Sequence, residues 1–234
     1  MSTGQQADRE PIDGVGGRRP TRRRAETRRR LLGAALETFA ERGFYGSTVE
    51  DICERAGFTR GAFYSNFGSK EELFFALYAE RTSRLIETIE AAIRAGEEAT
   101  RSSGVTDGDA VPDGVTSAAI ERFLSVQSDD RRWYLVNTEF TLHAVRRPEA
   151  ADALAAYRAT VRARIAQLLV KGLADAGREL TIDVDAFVRA ALALHEGSLE
   201  QSYLEPAGAP PGHLERQVLP VLLAAVTSRR RPVG

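Results

Sequence analysis

Residues 48–74 read TVEDICERAGFTRGAFYSNFGSKEELF. Thr48 and Asp51 stand at the spacing of a capping box, with Asp in place of the usual Glu or Gln, and open a short helix. Ala56-Gly57-Phe58 is a tight turn in which Gly57 supplies the left-handed backbone. Thr59 caps a second short helix that ends near Phe67 and Gly68, and Ser69 with Glu72 opens a long one carrying Leu73, Leu77 and Leu85. A short helix, a Gly turn and another short helix make a helix-turn-helix. A helical wheel turns Phe63 and Phe67 inward together with Thr59. It turns Gly61 and Ser65 the other way, flanked by Ala62 and Tyr64, with Arg60 at the helix start. That outer face is small, polar and free of acid, which suits a major groove, where side chains must approach base edges closely.

Upstream, Leu32, Ala35, Leu36 and Phe39 fall at i, i+3, i+4 and i+7, an amphipathic helix from Thr21 that stops at Gly43. Residues 1–20 hold almost no apolar side chains and read as a flexible arm. Downstream, the long helix runs from Lys70 to about Ala95, with Gly96 as its stop, and the Gly-, Ser- and Asp-rich stretch 101–115 is a loop. Helical patterns follow over 119–126, 133–145, 149–176, 183–204 and 211–227. Leu180-Thr181-Ile182 alternates like a strand but is too short to carry a sheet. The expected fold is all-α with about nine helices: an arm over 1–20, a helix-turn-helix domain over 21–75 and a second helical domain over 76–234.

The chain has 234 residues, with 32 Lys+Arg against 33 Asp+Glu and a net charge of −1. A hydrophobic content of 43% excludes extended disorder. The single cysteine, Cys53, excludes an internal disulfide framework and fits a reducing compartment. No apolar run is long enough to span a membrane and no signal-peptide core is present, so the expected location is the cytoplasm. The near-zero charge conceals an asymmetry. Residues 18–30 hold eight arginines and one acid, Glu26, a net +7, so the remainder carries −8. A basic block on an acidic body is a footprint for a polyanion; a solvated charge run is the alternative.

The run 48–74, preceded by the helix and Gly-Phe/Tyr exit of LLGAALETFAERGFYG over 31–46, resembles the DNA-binding domain of the TetR family of bacterial transcriptional regulators. The matching residues are Thr48, Ile52-Cys53, Ala56-Gly57-Phe58, Thr59-Arg60-Gly61, Phe63-Tyr64, Phe67 and Lys70-Glu71-Glu72-Leu73. The resemblance implies that Thr48 caps a helix and touches phosphate, and that Thr59, Arg60, Gly61 and Ala62 stand where the recognition helix meets DNA. Arg60 is the candidate for a guanine edge, with Ser65 on the same face. Tyr64, Asn66 and Lys70 are implied phosphate clamps. Arg22, Arg23 and Arg24 would follow the backbone or reach a minor groove, as basic arms do. Cys53 for Ala, Phe58 for Val and Asn66 for His depart from the family pattern, and none removes a DNA-facing group.

The same resemblance implies a repressor that binds a palindromic operator as a homodimer through its last two helices and is released by a small, mostly apolar or aromatic effector. An activator, or a DNA binder without effector, is the alternative. The helices over 183–204 and 211–227 carry the stripes Phe187, Ala191, Leu194, Ser198 and Leu214, Val218, Val221, Leu222, Ala225, suited to a four-helix interface or to packing within one chain. Candidate effector contacts are Phe123, Trp133, Tyr134, Asn137, Phe140, His143, Tyr157 and His195, aromatic bodies with a few polar tips. His143 and His195 are too isolated for a metal site, and no cofactor is implied. The chain lacks GxSxG, HExxH, a P-loop, CxxC and a Gly-rich dinucleotide turn, which argues against an enzyme.

Overall fold

The computed structural model describes residues 22–103 and 131–230. The expected arm over 1–20, the helix over 119–126 and Phe123 lie outside the described residues. Eight helices fall within them. These are α1 (Arg22–Gly46), α2 (Val49–Ala56), α3 (Arg60–Tyr64), α4 (Lys70–Ser103), α5 (Arg131–Val145), α6 (Pro148–Asp175), α7 (Val184–Leu204) and α8 (His213–Ala225).

α1 buries Leu31, Leu32, Ala35, Leu36 and Phe39 along one face. At Gly43 the backbone turns to φ 75°, ψ 163°, a region essentially restricted to glycine, and the chain kinks. The kink returns Phe44 to the core, where its ring lies 5.3 Å from Phe39 and 5.1 Å edge-on from Phe140. α2 closes at Gly57 (φ 70°, ψ 37°), and Phe58 N–H reaches back to the Cys53 carbonyl at 2.9 Å, a Schellman-type end. Cys53 is buried beneath this turn.

One apolar core runs without a break from α1–α4 into α5 and α6, through Phe63, Phe67, Phe74, Val136, Phe140 and Leu154. The Phe74 and Phe140 rings stack with centroids 3.5 Å apart. Each such buried side chain contributes about 1.5–3 kcal/mol of burial. A smaller cluster of Leu173, Phe187 and Leu223 joins α6, α7 and α8.

The structure corrects the sequence reading at three points. α4 passes through Gly96 and ends at Ser103, so the expected loop begins later. A strand does form, starting two residues earlier than Leu180–Ile182: β1 (Arg178–Leu180) pairs antiparallel with β2 (Thr227–Arg229), with Leu180 opposite Thr227. Thr59 is exposed rather than turned inward, because its hydroxyl caps α3. Of the stripe read as a four-helix interface or as packing within one chain, Phe187 and Ser198 take the second course and are buried within the chain. Ser198 Oγ donates to Glu215, a fully buried carboxylate that also meets His195 Nδ1 at 2.8 Å. Burial pushes the Glu215 carboxyl up, but the bonds from His195 and Ser198 outweigh it and hold the group below the usual range.

Candidate nucleic-acid interface

α3 rests on Phe63, which is fully buried against Phe67. Thr59 Oγ1 accepts from Ala62 N at 3.3 Å. Arg60, Gly61, Tyr64 and Ser65 are thereby left outside, with Tyr64 50% exposed and Ala62 half-buried. A Cβ built on Gly61 would meet nothing closer than Thr59 Oγ1 at 3.7 Å. The protein's own packing therefore does not require glycine there, so the missing bulk suits something approaching from outside.

Thr48 caps α2 as read: its N–H donates to Asp51 Oδ2 at 2.9 Å and its Oγ1 accepts from Asp51 N at 3.1 Å. The Thr48 bonds, then Arg42, hold the Asp51 carboxyl below its ordinary value. Ser65 and Asn66 fold back. Ser65 Oγ donates to Ala62 O at 2.9 Å and Asn66 Nδ2 to the same carbonyl at 2.8 Å, leaving Asn66 Oδ1 buried without a partner. These two side chains finish α3 instead of projecting from it.

The arginine block is part of the scaffold. α1 begins at Arg22, so Arg22, Arg23 and Arg24 form its first turn, in keeping with the helical pattern read from Thr21 onward. Arg24 donates to Ser65 O at 3.2 Å, Arg28 to Asn66 O at 3.1 Å and Arg30 to Ala56 O at 2.7 Å. Cations thus satisfy the carbonyls at the ends of α2 and α3, where the helix dipole favours positive charge. Arg28 also covers the Phe67 ring at 4.3 Å. Arg22 and Arg23 are exposed.

Two side chains stand differently from the expectation. Lys70 is half-buried, and its Nζ donates to Phe44 O at 2.8 Å and Ser47 O at 2.6 Å. Burial lowers its pKa. Its ammonium therefore braces the α1–α2 corner. Arg60 is not in acid-free surroundings: α2 brings Glu50 to within 2.7 Å of its Nη1. Helix-wheel reading of α3 alone could not find that acid, because it sits on the neighbouring helix.

The effector candidates divide into four places. Phe140 and His143 belong to the junction with α1. His143 Nδ1 meets the Tyr45 hydroxyl at 2.8 Å, and its ring packs 5.0 Å from Phe44. Burial, then Arg147, lowers the His143 pKa. His195 belongs to the buried Glu215 network. Trp133 and Tyr157 flank Tyr78, whose ring lies 5.4 Å from Trp133 and 5.0 Å from Tyr157, and the Asn137 carbonyl accepts from Thr141 Oγ1 at 2.7 Å. Tyr134 faces Tyr203 on α7 at 5.0 Å.

Sequence reading missed Tyr78 and Arg158 in this group. Arg158 donates to Thr141 Oγ1 at 2.9 Å, and its charge opposes the effect of burial on Tyr78, while Arg158 Nε and Asn137 Oδ1 are buried without partners. Burial raises the Tyr78 pKa. Two clefts, of about 200 Å³ beside Leu173 and Arg178 and about 390 Å³ beside Gln167 and Val184, touch none of the effector candidates. Among the described residues no cluster of three His, Cys, Asp or Glu side chains is placed to hold a metal, and no helix is long and apolar enough to cross a membrane.

These features define a helix-turn-helix head, with an exposed recognition helix and a cationic flank, on an all-helical body. The sequence model described as "Bacterial regulatory proteins, tetR family" matches residues 31–77, and that described as "BetI-type transcriptional repressor, C-terminal" matches residues 112–226. The chain belongs to the TetR family of bacterial regulatory proteins.

The transcriptional repressor AcnR of Corynebacterium efficiens is 43% identical over 63 residues, 27% of this chain and 34% of that protein. The transcriptional activator FasR of Mycolicibacterium smegmatis is 36% identical over 82 residues, 34% of this chain and 37% of that one. The matched part thus spans about a third of the length of these curated relatives, which are transcriptional regulators rather than enzymes. Salmonella enterica GusR shares the fold, with a TM-score of 0.63 at 22% identity over 86% of this chain and 96% of that one.

Proposed function

We propose that this protein is a sequence-specific DNA-binding transcriptional regulator that acts as a homodimeric repressor on a palindromic operator and is released by a small, largely apolar or aromatic effector. The observation that carries the reading is the outward face of α3. Arg60, Gly61 and Tyr64 stand on a buried Phe63 in a head whose α1 carries six arginines and one acid over 22–30, and Gly61 has no internal packing reason to be glycine. Repression is favoured by the match of residues 112–226 to a repressor C-terminal domain. The division into a reading head over 21–75 and an effector and dimer domain over 76–234 belongs to the same proposal, with α4 as the shared lever. Val221, 66% exposed, with Leu222 and Ala225 supplies an apolar strip on α8 for a symmetry mate. Trp133, Asn137, Tyr157 and Tyr78 are the proposed effector contacts. A non-enzymatic, cytoplasmic role without cofactor follows from the same reading.

Selection of duplexes from a random pool by the purified protein tests it. The expected winners are palindromes whose half-sites lie roughly 34–36 Å apart, and Tyr64→Ala weakens binding to them. Failure to retain any duplex at low ionic strength overturns the proposal.

A further inference from the structure

We infer that Glu50 is a specificity-determining residue that positions Arg60 for guanine and penalises its use on phosphate. The inference rests on the DNA-reading role proposed above. Asp51, not Glu50, makes the capping bonds of α2, so the cap does not require Glu50. Glu50 meets Arg60 Nη1 at 2.7 Å, and both side chains are open to solvent, 56% and 61% exposed. An exposed pair of this kind adds little stability. Its position is what matters: a carboxylate on the outside of the helix-turn-helix, beside the arginine that would meet a polyanion.

A guanidinium carries five N–H donors. Arg60 contacts Glu50 and the Tyr64 side chain, which leaves donors for a two-bond contact with the O6 and N7 of one guanine. With Glu50 still attached, the arginine is buttressed and the carboxylate stays neutralised while the base is read. If Arg60 swings to a phosphate instead, it must leave Glu50 behind, an uncompensated anion beside the DNA backbone. Random sequence is therefore disfavoured relative to a site that presents guanine in register. Composition could not reveal this, because the acid and the arginine lie ten positions apart on different helices.

The test compares wild type, Glu50→Gln, Glu50→Ala, Arg60→Ala and the Glu50→Ala/Arg60→Ala double variant. Each is titrated against the duplex that wild type selects and a scrambled duplex of equal length. Removing one unit charge beside phosphate in a high-dielectric setting tightens binding to the scrambled duplex about five-fold. The ratio of selected to scrambled affinity is expected to fall about ten-fold in both Glu50 variants, with the weakened discrimination confined to one G·C pair per half-site. In the Arg60→Ala background, Glu50→Ala leaves that ratio unchanged. A ratio that stays within two-fold of wild type in folded Glu50 variants, or falls equally without Arg60, overturns the inference. A wild type that binds no duplex overturns the DNA reading itself, which is a different result.

Discussion

Glu139 on α5 accepts the Phe44 amide at 2.7 Å, joining the helical body to the kink of α1 across 95 positions of sequence. The kink has room for that carboxylate because residue 43 is glycine: a Cβ there would lie 2.6 Å from Glu139 Oε2. Gly43→Ala is therefore expected to destabilise the fold by about 1–3 kcal/mol through backbone strain. Displacement of the Glu139 bond adds to this, read as a lower urea midpoint. Glu139→Ala clears the space without relieving φ. The double variant should thus remain less stable than Glu139→Ala alone, and equal midpoints would refute the strain argument.

Lys70 and DNA can be separated by measuring stability with no DNA present. Removing a charged donor from two carbonyls costs about 1.5–3 kcal/mol per bond where the acceptors stay buried. Lys70→Met keeps the aliphatic stem over Phe44 and should still lower the unfolding midpoint. An unchanged midpoint would mean that the ammonium serves only the outside of the molecule.

His143 gives the fold an acid sensitivity above the carboxylate range. Burial and Arg147 hold its pKa below 6.5 in the native state, with Lys70 acting in the same sense and Glu71 opposing. The unfolded chain accepts a proton more readily, so this contribution is complete above about pH 6.5 and is lost as pH falls through the lower native value. Urea midpoints should decline between roughly pH 7 and 5, and His143→Gln should flatten that decline. Parallel curves for the two proteins would remove His143 as the cause.

Arg22 and Arg23 sit on the first turn of α1, and their side chains are exposed. Replacing both with Ala should change stability by less than about 0.5 kcal/mol. The salt dependence of duplex binding should become shallower by about 0.9 in logarithmic slope for each phosphate no longer neutralised. Arg28→Ala, by contrast, should lower stability as well, because it uncovers Phe67 and the Asn66 carbonyl. A slope unchanged by the Arg22 and Arg23 replacements would assign the polyanion surface elsewhere.

The helix-turn-helix was legible because its signals are local: the Thr48–Asp51 box, the Gly57 turn and the Phe63/Phe67 spacing each span a few residues. What escaped was long-range. Gly96 reads as a stop, yet a glycine costs a helix interior only about 1 kcal/mol relative to Ala, and α4 continues to Ser103. β1 forms because Arg178 finds Thr227, 49 positions away. Phe140 and His143 carry the mixed character of pocket residues, and only the fold shows that Phe44 and Tyr45 cover them. Lys70 and Arg60 have types that suit a DNA surface, but their partners, the Phe44 carbonyl and Glu50, are set by how the helices pack.

Arg24, Arg28 and Arg30 have one further consequence. The cations that make this end of the molecule attractive to polyanions are also the bolts that seat the ends of α2 and α3 against α1. Charge cannot be trimmed at these three positions without loosening the reading head, so there affinity and architecture must drift together in any descendant of this sequence, while Arg22 and Arg23 leave salt tolerance free to change.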